Sequence, residues 1–160
     1  MYKFYLIMKT LMFGISVSIS NYIIESKTRA LIKYHNRTVK KAVKRYNKKL
    51  KKMTRLNNLR IKIRDKILNN RCLQKYFSVE MMEKLENSIE ELNDIIVLYH
   101  DDFLDYLNSS FDKSKEVICE YNKIVDKQKR NTYPFIFYKC TKISMNEIIH
   151  SVKYPNRKIS

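Results

Sequence analysis

No glycine or proline interrupts the 119 residues between Gly14 and Pro134. These two residue types supply most turns in sheet proteins and both disrupt helices, so their absence over this length predicts long helices. The 160 residues suffice for one domain with a hydrophobic core. We therefore predict an all-α protein, in which a long helical hairpin follows an N-terminal apolar segment and precedes a short aromatic and helical C-terminal tail.

Charge is segregated along the chain. Residues 1–77 contain 21 Lys and Arg but two acidic residues, whereas residues 78–126 contain 13 Asp and Glu but four Lys. This predicts a basic first helix and an acidic second helix, whose opposite charges favour antiparallel packing against each other. Because the whole chain carries a net charge of +17, a basic surface and an anionic partner are expected even after such pairing.

The basic helix is predicted from residue 25 to about residue 70, where apolar residues recur every three to five positions. The segment 27–66 holds 17 cations, which could bind nucleic acid or an anionic lipid surface. The alternative is that they neutralise the acidic helix. The predicted polyanion-binding residues are Lys40, Lys41, Lys44, Arg45, Lys48, Lys49, Lys51, Lys52 and Arg55.

The acidic helix has a heptad seam, in which apolar residues follow alternating steps of three and four. Ile95, Val97, Leu98, Leu104 and Leu107 widen this seam, which predicts burial of the helix on more than one side. The predicted partner of the seam is the basic helix of the same chain, a second copy, or another helical protein. The seam residues are Met82, Leu85, Ile89, Leu92, Ile96, Tyr99, Phe103 and Tyr106.

The first 24 residues are strongly apolar and allow three interpretations. Phe4 to Ile24 has the length of a membrane anchor. Alternatively, the segment is a signal peptide cleaved near Ser20, or the first core helix of a bundle. Dense positive charge after Asn21 favours an anchor with the rest of the chain on the cytoplasmic or matrix side. The predicted division is 1–24 (apolar segment), 25–132 (hairpin domain) and 133–160 (tail).

Two local signals mark the ends of elements. A turn is predicted at residues 71–78, with Ser78 as the N-cap of the acidic helix. In the tail, Pro134 and the surrounding aromatic residues predict extended backbone. Ser144 and Glu147 form a capping-box pattern that predicts a short terminal helix.

The sequence contains few candidates for catalytic or metal-binding residues. The three cysteines include no Cys-x-x-Cys pair, and the group around His100, Asp101 and Asp105 lacks a nucleophile or second acid, so we predict no catalytic, metal or cofactor site. The predicted function is that of a non-enzymatic, membrane-associated interaction or scaffold protein. The alternatives are a nucleic-acid-binding protein that uses the basic helix, and a secreted or exported effector.

Overall fold

The computed structural model describes residues 2–130 and 135–148. Its elements are α1 (Tyr2–Leu68), α2 (Arg71–Gln74), α3 (Val79–Arg130) and a short 3-10 helix (Met145–Glu147). The described part of the chain contains no strand. The predicted all-α class, with one long N-terminal helix and a second long helix, is confirmed.

Helix α1 continues for 67 residues without a break. It passes through residues 24 and 25, because the change from apolar to basic composition there introduces no residue that disfavours a helix. The glycine at position 14 also lies inside α1. The division of the chain into segments 1–24, 25–132 and 133–160 stays a prediction.

The connection between the long helices follows the predicted turn. The side chain of Asn70 accepts hydrogen bonds from the backbone N–H groups of Cys72 and Leu73, which caps α2. At the start of α3, the backbone N–H of Met81 donates to the hydroxyl of Ser78 at 3.2 Å. Ser78 is therefore the N-cap of α3, as its position in the sequence predicts.

The chain divides into two units, and residues 40–107 form the first of them. Here the heptad seam of α3 packs on α1. The ring of Tyr46 stacks on that of Phe103, with centroids 4.1 Å apart, and Ile96 is buried. The basic helix of the same chain thus covers most of the seam, but the predicted seam residue Tyr106 is 41% exposed and Leu107 is buried instead. The buried apolar residues of this unit are Tyr46, Ile67, Ile89, Leu92, Ile96, Phe103 and Leu107.

Polar contacts fix the register of this pair. The amide of buried Asn57 donates to Oδ1 of Asn93 at 2.7 Å, and Arg60 donates to the Ser88 carbonyl at 2.6 Å. This bond disfavours a shifted alignment, because a shift would leave the buried amide of Asn57 without its partner.

The charged residues of this unit do not pair across the two helices. Between the described residues 40 and 107, the ion pairs are Arg64–Asp65 and Lys84–Glu80, and each lies within one stretch of helix. Hydrophobic packing and the polar contacts above therefore hold the pair together, and both the basic and the acidic surfaces stay open to solvent.

The second unit comprises residues 1–39 and 108–160. Its core lies between the N-terminal part of α1, the C-terminal part of α3 and the segment Phe135–Ile148, which we call the C-terminal segment. Helix α3 passes through Asn108 to Ser110 without a break. The core residues are Ile32, Ile118, Tyr121, Val125, Cys140, Ile143 and Ile148.

The predicted features of the tail are found in part. The capping box of Ser144 and Glu147 is present, but the helix that it starts is a single 3-10 turn. Any part of the predicted terminal helix after Ile148 lies outside the described residues, as do Tyr133 and Pro134.

Candidate functional site

The N-terminal third of α1 has an apolar outer face. None of residues 2–13 is buried, and beyond them the helix still exposes one apolar side as far as Ile23. This part of α1 is long and apolar enough to cross a membrane, and 17% of the corresponding stretch is buried in the protein. The exposed large apolar residues are Tyr2, Phe4, Tyr5, Leu6, Ile7, Met8, Met12, Phe13, Ile15, Ile19, Tyr22 and Ile23.

From residue 14 to residue 28, α1 also has an inner face, and this face is mainly polar. Its buried residues follow heptad spacing and are covered by the rest of the second unit. A soluble helix normally buries its apolar side and exposes its polar side. Here the arrangement is inverted, so that polar groups face the protein interior and apolar groups face outward. The inner-face residues are Gly14, Ser18, Asn21, Glu25 and Thr28.

The C-terminal segment approaches the backbone of α1 closely at Gly14. A Cβ atom on this residue would lie 2.4 Å from the carbonyl oxygen of Phe135 and 2.8 Å from its carbonyl carbon. Phe135 has a positive φ of 69°, a conformation that is uncommon for a bulky residue. Only glycine leaves room for this backbone contact.

Glu25 is the centre of the polar contacts. Its carboxylate accepts from the hydroxyl of Thr141 at 2.8 Å, the backbone N–H of Thr141 at 3.1 Å and the hydroxyl of Tyr138 at 3.1 Å. Nε of Arg29 donates at 2.9 Å, and Arg29 also pairs with Glu147 at 3.3 Å. Glu25 and Arg29 therefore hold both the middle and the end of the C-terminal segment.

These contacts determine the ionisation of Glu25. Burial raises the pKa of its carboxyl, but the hydrogen bonds from Thr141, Arg29 and Tyr138 lower it by more, so that the pKa falls from 4.5 to about 2. The carboxylate is the form that accepts all of these bonds. At neutral pH the C-terminal segment is thus bound to a charged group.

Side chains of the two helices satisfy the backbone of the C-terminal segment, which has no neighbouring strand. Ser18 accepts from the N–H of Phe137 at 2.9 Å, and Asn21 donates to the carbonyl of Tyr138 at 2.9 Å. From α3, Asn122 contacts both backbone groups of Ile143, at 3.0 and 2.9 Å. These bonds replace the ladder of a sheet and fix the position of the segment.

None of the sequence patterns described above points to this site, although a signal for it exists. Glu25 is the only acidic residue among the first 64, and Ser18, Asn21, Glu25 and Thr28 recur at steps of three, four and three in an otherwise apolar stretch. A polar stripe on an apolar helix predicts a buried polar partner. Nothing in the sequence identifies the partner as residues more than 110 positions away.

The predicted polyanion-binding residues, from Lys40 to Arg55, all lie on α1 and are all exposed. None of the nine lies within 4.0 Å of a carboxylate in the described structure. Nζ of Lys49 lies 4.3 Å from the centroid of the Tyr99 ring, a cation–π contact. These cations therefore form one open basic surface on the first unit.

The acidic group of α3 does not form a site. Asp101, Asp102 and Asp105 are exposed, and Nδ1 of His100 contacts the hydroxyl of Tyr46. Within the described residues, no group of three or more His, Cys, Asp or Glu is arranged to hold a metal ion. The cysteines are unpaired, and burial raises the pKa of the Cys140 thiol, which disfavours its reactive thiolate form.

A cavity of about 380 Å³ lies in the second unit, between α1 and α3. The hydroxyl of Ser110 lies 3.2 Å from Nδ1 of His35 at its edge, a contact that the sequence analysis missed. The backbone N–H groups around Ser110 belong to the continuous helix α3, so they are not free to stabilise an oxyanion.

The fold and this site define a class: an all-α protein whose N-terminal helix is apolar outside and polar inside. Comparison with known proteins finds no matching family model, no matching curated protein and no matching solved structure.

Proposed function

We propose that the protein is a non-enzymatic, membrane-associated helical interaction protein, and that the outer face of α1 contacts lipid. The observation that carries this proposal is the inverted N-terminal third of α1. Lys3 and Lys9 belong to this stretch and could extend their charged ends toward anionic headgroups. The C-terminal segment satisfies the polar inner face, which would otherwise be costly to bring into contact with lipid.

The docked C-terminal segment limits how deeply α1 can insert into a membrane. Its irregular backbone lies against the stretch from Gly14 to Glu25, and lipid does not tolerate irregular backbone that is exposed to it. Residues 2–13 are the stretch without a buried residue, and twelve helical residues span about 18 Å, less than the ~30 Å of a hydrocarbon core. We therefore favour insertion of α1 into one leaflet in this conformation.

Vesicle flotation of the full chain tests the proposal. The variant Ile7→Glu places a carboxylate on the outer face, and we expect it to reduce the vesicle-bound fraction severalfold at fixed lipid. Leu31→Glu is the matched control, because both side chains are exposed to the same extent, 55% and 56%, while Leu31 lies further along α1. Equal binding by the two variants would contradict the proposal.

A second measurement separates one-leaflet insertion from a full span. In a variant whose accessible cysteines, Cys72 and Cys119, are replaced with Ser, a dye attached to Phe4→Cys would meet a quencher trapped in the vesicle lumen only if α1 crossed the bilayer. We expect no lumenal quenching. Quenching from the lumen would support the spanning anchor of Phe4 to Ile24, whose sidedness stays a prediction.

A polyanion-binding role is the second candidate, and the nine unpaired cations from Lys40 to Arg55 favour it. Nonspecific binding to duplex DNA or heparin would weaken steeply as salt rises, because counterions are released. Replacing Lys40, Lys41 and Lys44 with Gln should weaken retention on heparin.

The control for this experiment replaces three lysines of the acidic helix α3, which are Lys113, Lys115 and Lys123. It removes the same charge, so net charge alone cannot account for a difference between the two triple variants. Equal losses would mean that the basic surface of α1 is not the binding surface.

A further inference from the structure

We propose that the first unit, residues 40–107, associates with a second copy of this chain into an antiparallel four-helix bundle. The interface is a flank of the helix pair that its own chain leaves uncovered. This inference goes beyond the proposed membrane function and uses none of the residues that carry it.

Several exposed apolar residues of the first unit lie outside the heptad seam. The widened seam of α3 predicts burial on more than one side, yet Ile95 is 53% exposed and Leu98 is 63% exposed. Leu56, Leu59 and Ile63 of α1 are similarly exposed. Two helices can cover only one stripe on each other, so additional apolar stripes remain open to solvent.

Contacts between the helices place Leu56, Ile63 and Ile95 on one side of the pair. Arg60 donates to the Ser88 carbonyl at 2.6 Å, which marks the side on which the two helices are bridged. Residues three, four or seven positions apart share a helix face. Leu56 and Ile63 are four and three positions from Arg60, and Ile95 is seven positions from Ser88.

A second contact marks the same side. Nζ of Lys49 lies over the ring of Tyr99, and Tyr99 is four positions from Ile95. Lys49 is seven positions from Leu56. The exposed apolar residues on this side, with those at its edge, form a surface that we call the apolar flank: Leu56, Leu59, Ile63, Met81, Ile95 and Leu98.

Charge complementarity argues for a second copy as the occupant. The basic surface of α1 and the acidic surface of α3 form no ion pair with each other between the described residues 40 and 107. Two copies that join their apolar flanks can place α1 of each against α3 of the other. Every basic helix then lies between two acidic helices, whereas contact between the two α1 helices would bring cations together.

In the proposed bundle, α3 is also covered on a second side, as its widened apolar stripe predicts. In the two-helix unit each helix buries one stripe, and in a four-helix bundle each helix contacts two neighbours. The register within the pair, fixed by Asn57 and Asn93, places Leu56 of one copy close to Ile95 of the other if the same register is repeated. The apolar flank is thus self-complementary.

The test is the mass of the full chain in mild detergent, measured by light scattering across a micromolar concentration series. We expect a dimer for the unmodified protein. Ile95→Glu should raise the dissociation constant by about tenfold or more, which corresponds to about 1.4 kcal/mol. Leu56→Glu, on the other helix, should do the same, so the test does not depend on the folding of a single variant.

Val97→Glu is the matched control. Val97 lies two residues from Ile95, is 52% exposed, and points about 200° around the helix from Ile95, on the opposite side of the pair. It should leave the dimer intact while adding the same charge to the same helix. A monomeric unmodified protein, or equal effects of Ile95→Glu and Val97→Glu, would overturn the proposal.

Discussion

Both oxygen atoms of the Glu25 carboxylate contact Thr141: Oε1 accepts from the threonine hydroxyl at 2.8 Å and Oε2 from its backbone N–H at 3.1 Å. This pair joins residues separated by 116 positions. It lies on the inner face of the helix whose outer face we propose to contact lipid. One carboxylate therefore contributes several of the bonds that hold the C-terminal segment, beside those from Ser18, Asn21 and Asn122.

Removal of that carboxylate should release the segment. Glu25→Ala leaves the polar groups of Arg29, Tyr138 and Thr141 without their acceptor, and we expect a loss of about 2–3 kcal/mol in the free energy of unfolding. Alkylation of the buried thiol of Cys140 should become faster. Glu116→Ala is the control, because Glu116 is exposed and forms no ion pair. An unchanged Cys140 rate in Glu25→Ala would contradict the assigned role.

Acid should have the same effect as the substitution. The pKa of Glu25 is lowered in the folded state to about 2 from 4.5. Because the folded pKa is below the unfolded one, this stabilisation is complete above about pH 4.5 and is lost as the pH falls toward 2. Cys140 accessibility, measured by a reagent that reacts at low pH, should rise over this interval. In Glu25→Gln the rise should be much smaller.

A methyl group at position 14 should displace the start of the C-terminal segment. Ala favours a helix over Gly by about 1 kcal/mol, so an isolated α1 would be stabilised. In the folded protein the new Cβ would lie 2.4 Å from the Phe135 carbonyl oxygen, and backbone atoms must move. We expect Gly14→Ala to increase proteolysis near Phe135. Ser16→Ala, at an exposed position of the same helix, should not.

A charge in the heptad seam should be far more damaging than a charge change on the basic surface. Ile96 is buried against α1, and Ile96→Asp places a carboxylate there without a partner, at a cost of about 3 kcal/mol or more. Lys51 is exposed and unpaired, so Lys51→Glu should change the free energy of unfolding by less than about 1 kcal/mol. Chemical denaturation of the two variants provides the comparison, and similar midpoints would contradict the packing of the seam.

The elements that sequence predicts best are those that a local pattern specifies. The seam from Met82 to Tyr106 predicts α3 because every step of three or four keeps the residues on one face. The N-cap at Ser78 depends on a neighbour three positions away. The docking of the C-terminal segment could not be predicted. The spacing of Ser18, Asn21 and Glu25 indicates a buried polar partner, but no sequence pattern links these residues to the distant segment that contacts them.

Opposite charge favours packing of the two helices against each other, and within residues 40–107 they pack without an ion pair between them. Lysine and acidic side chains on outward faces gain little by meeting, since an exposed ion pair contributes at most about 1 kcal/mol. The helices are instead aligned by Tyr46, Asn57 and Arg60. Tyr46 belongs to the apolar spacing of the basic helix, whereas no local pattern distinguishes Asn57 or Arg60 from its other polar residues.

The separation between Ser18 and Phe137, 119 positions, also imposes an order on biosynthesis. A ribosome delivers α1 first, and the residues that cover its polar inner face emerge only after α3 has been made. During that interval the nascent chain presents serine, asparagine and glutamate on one side of an apolar helix and has nothing of its own with which to cover them. Docking of the C-terminal segment is therefore a late step of maturation, and factors that bind apolar nascent helices would meet α1 before that step.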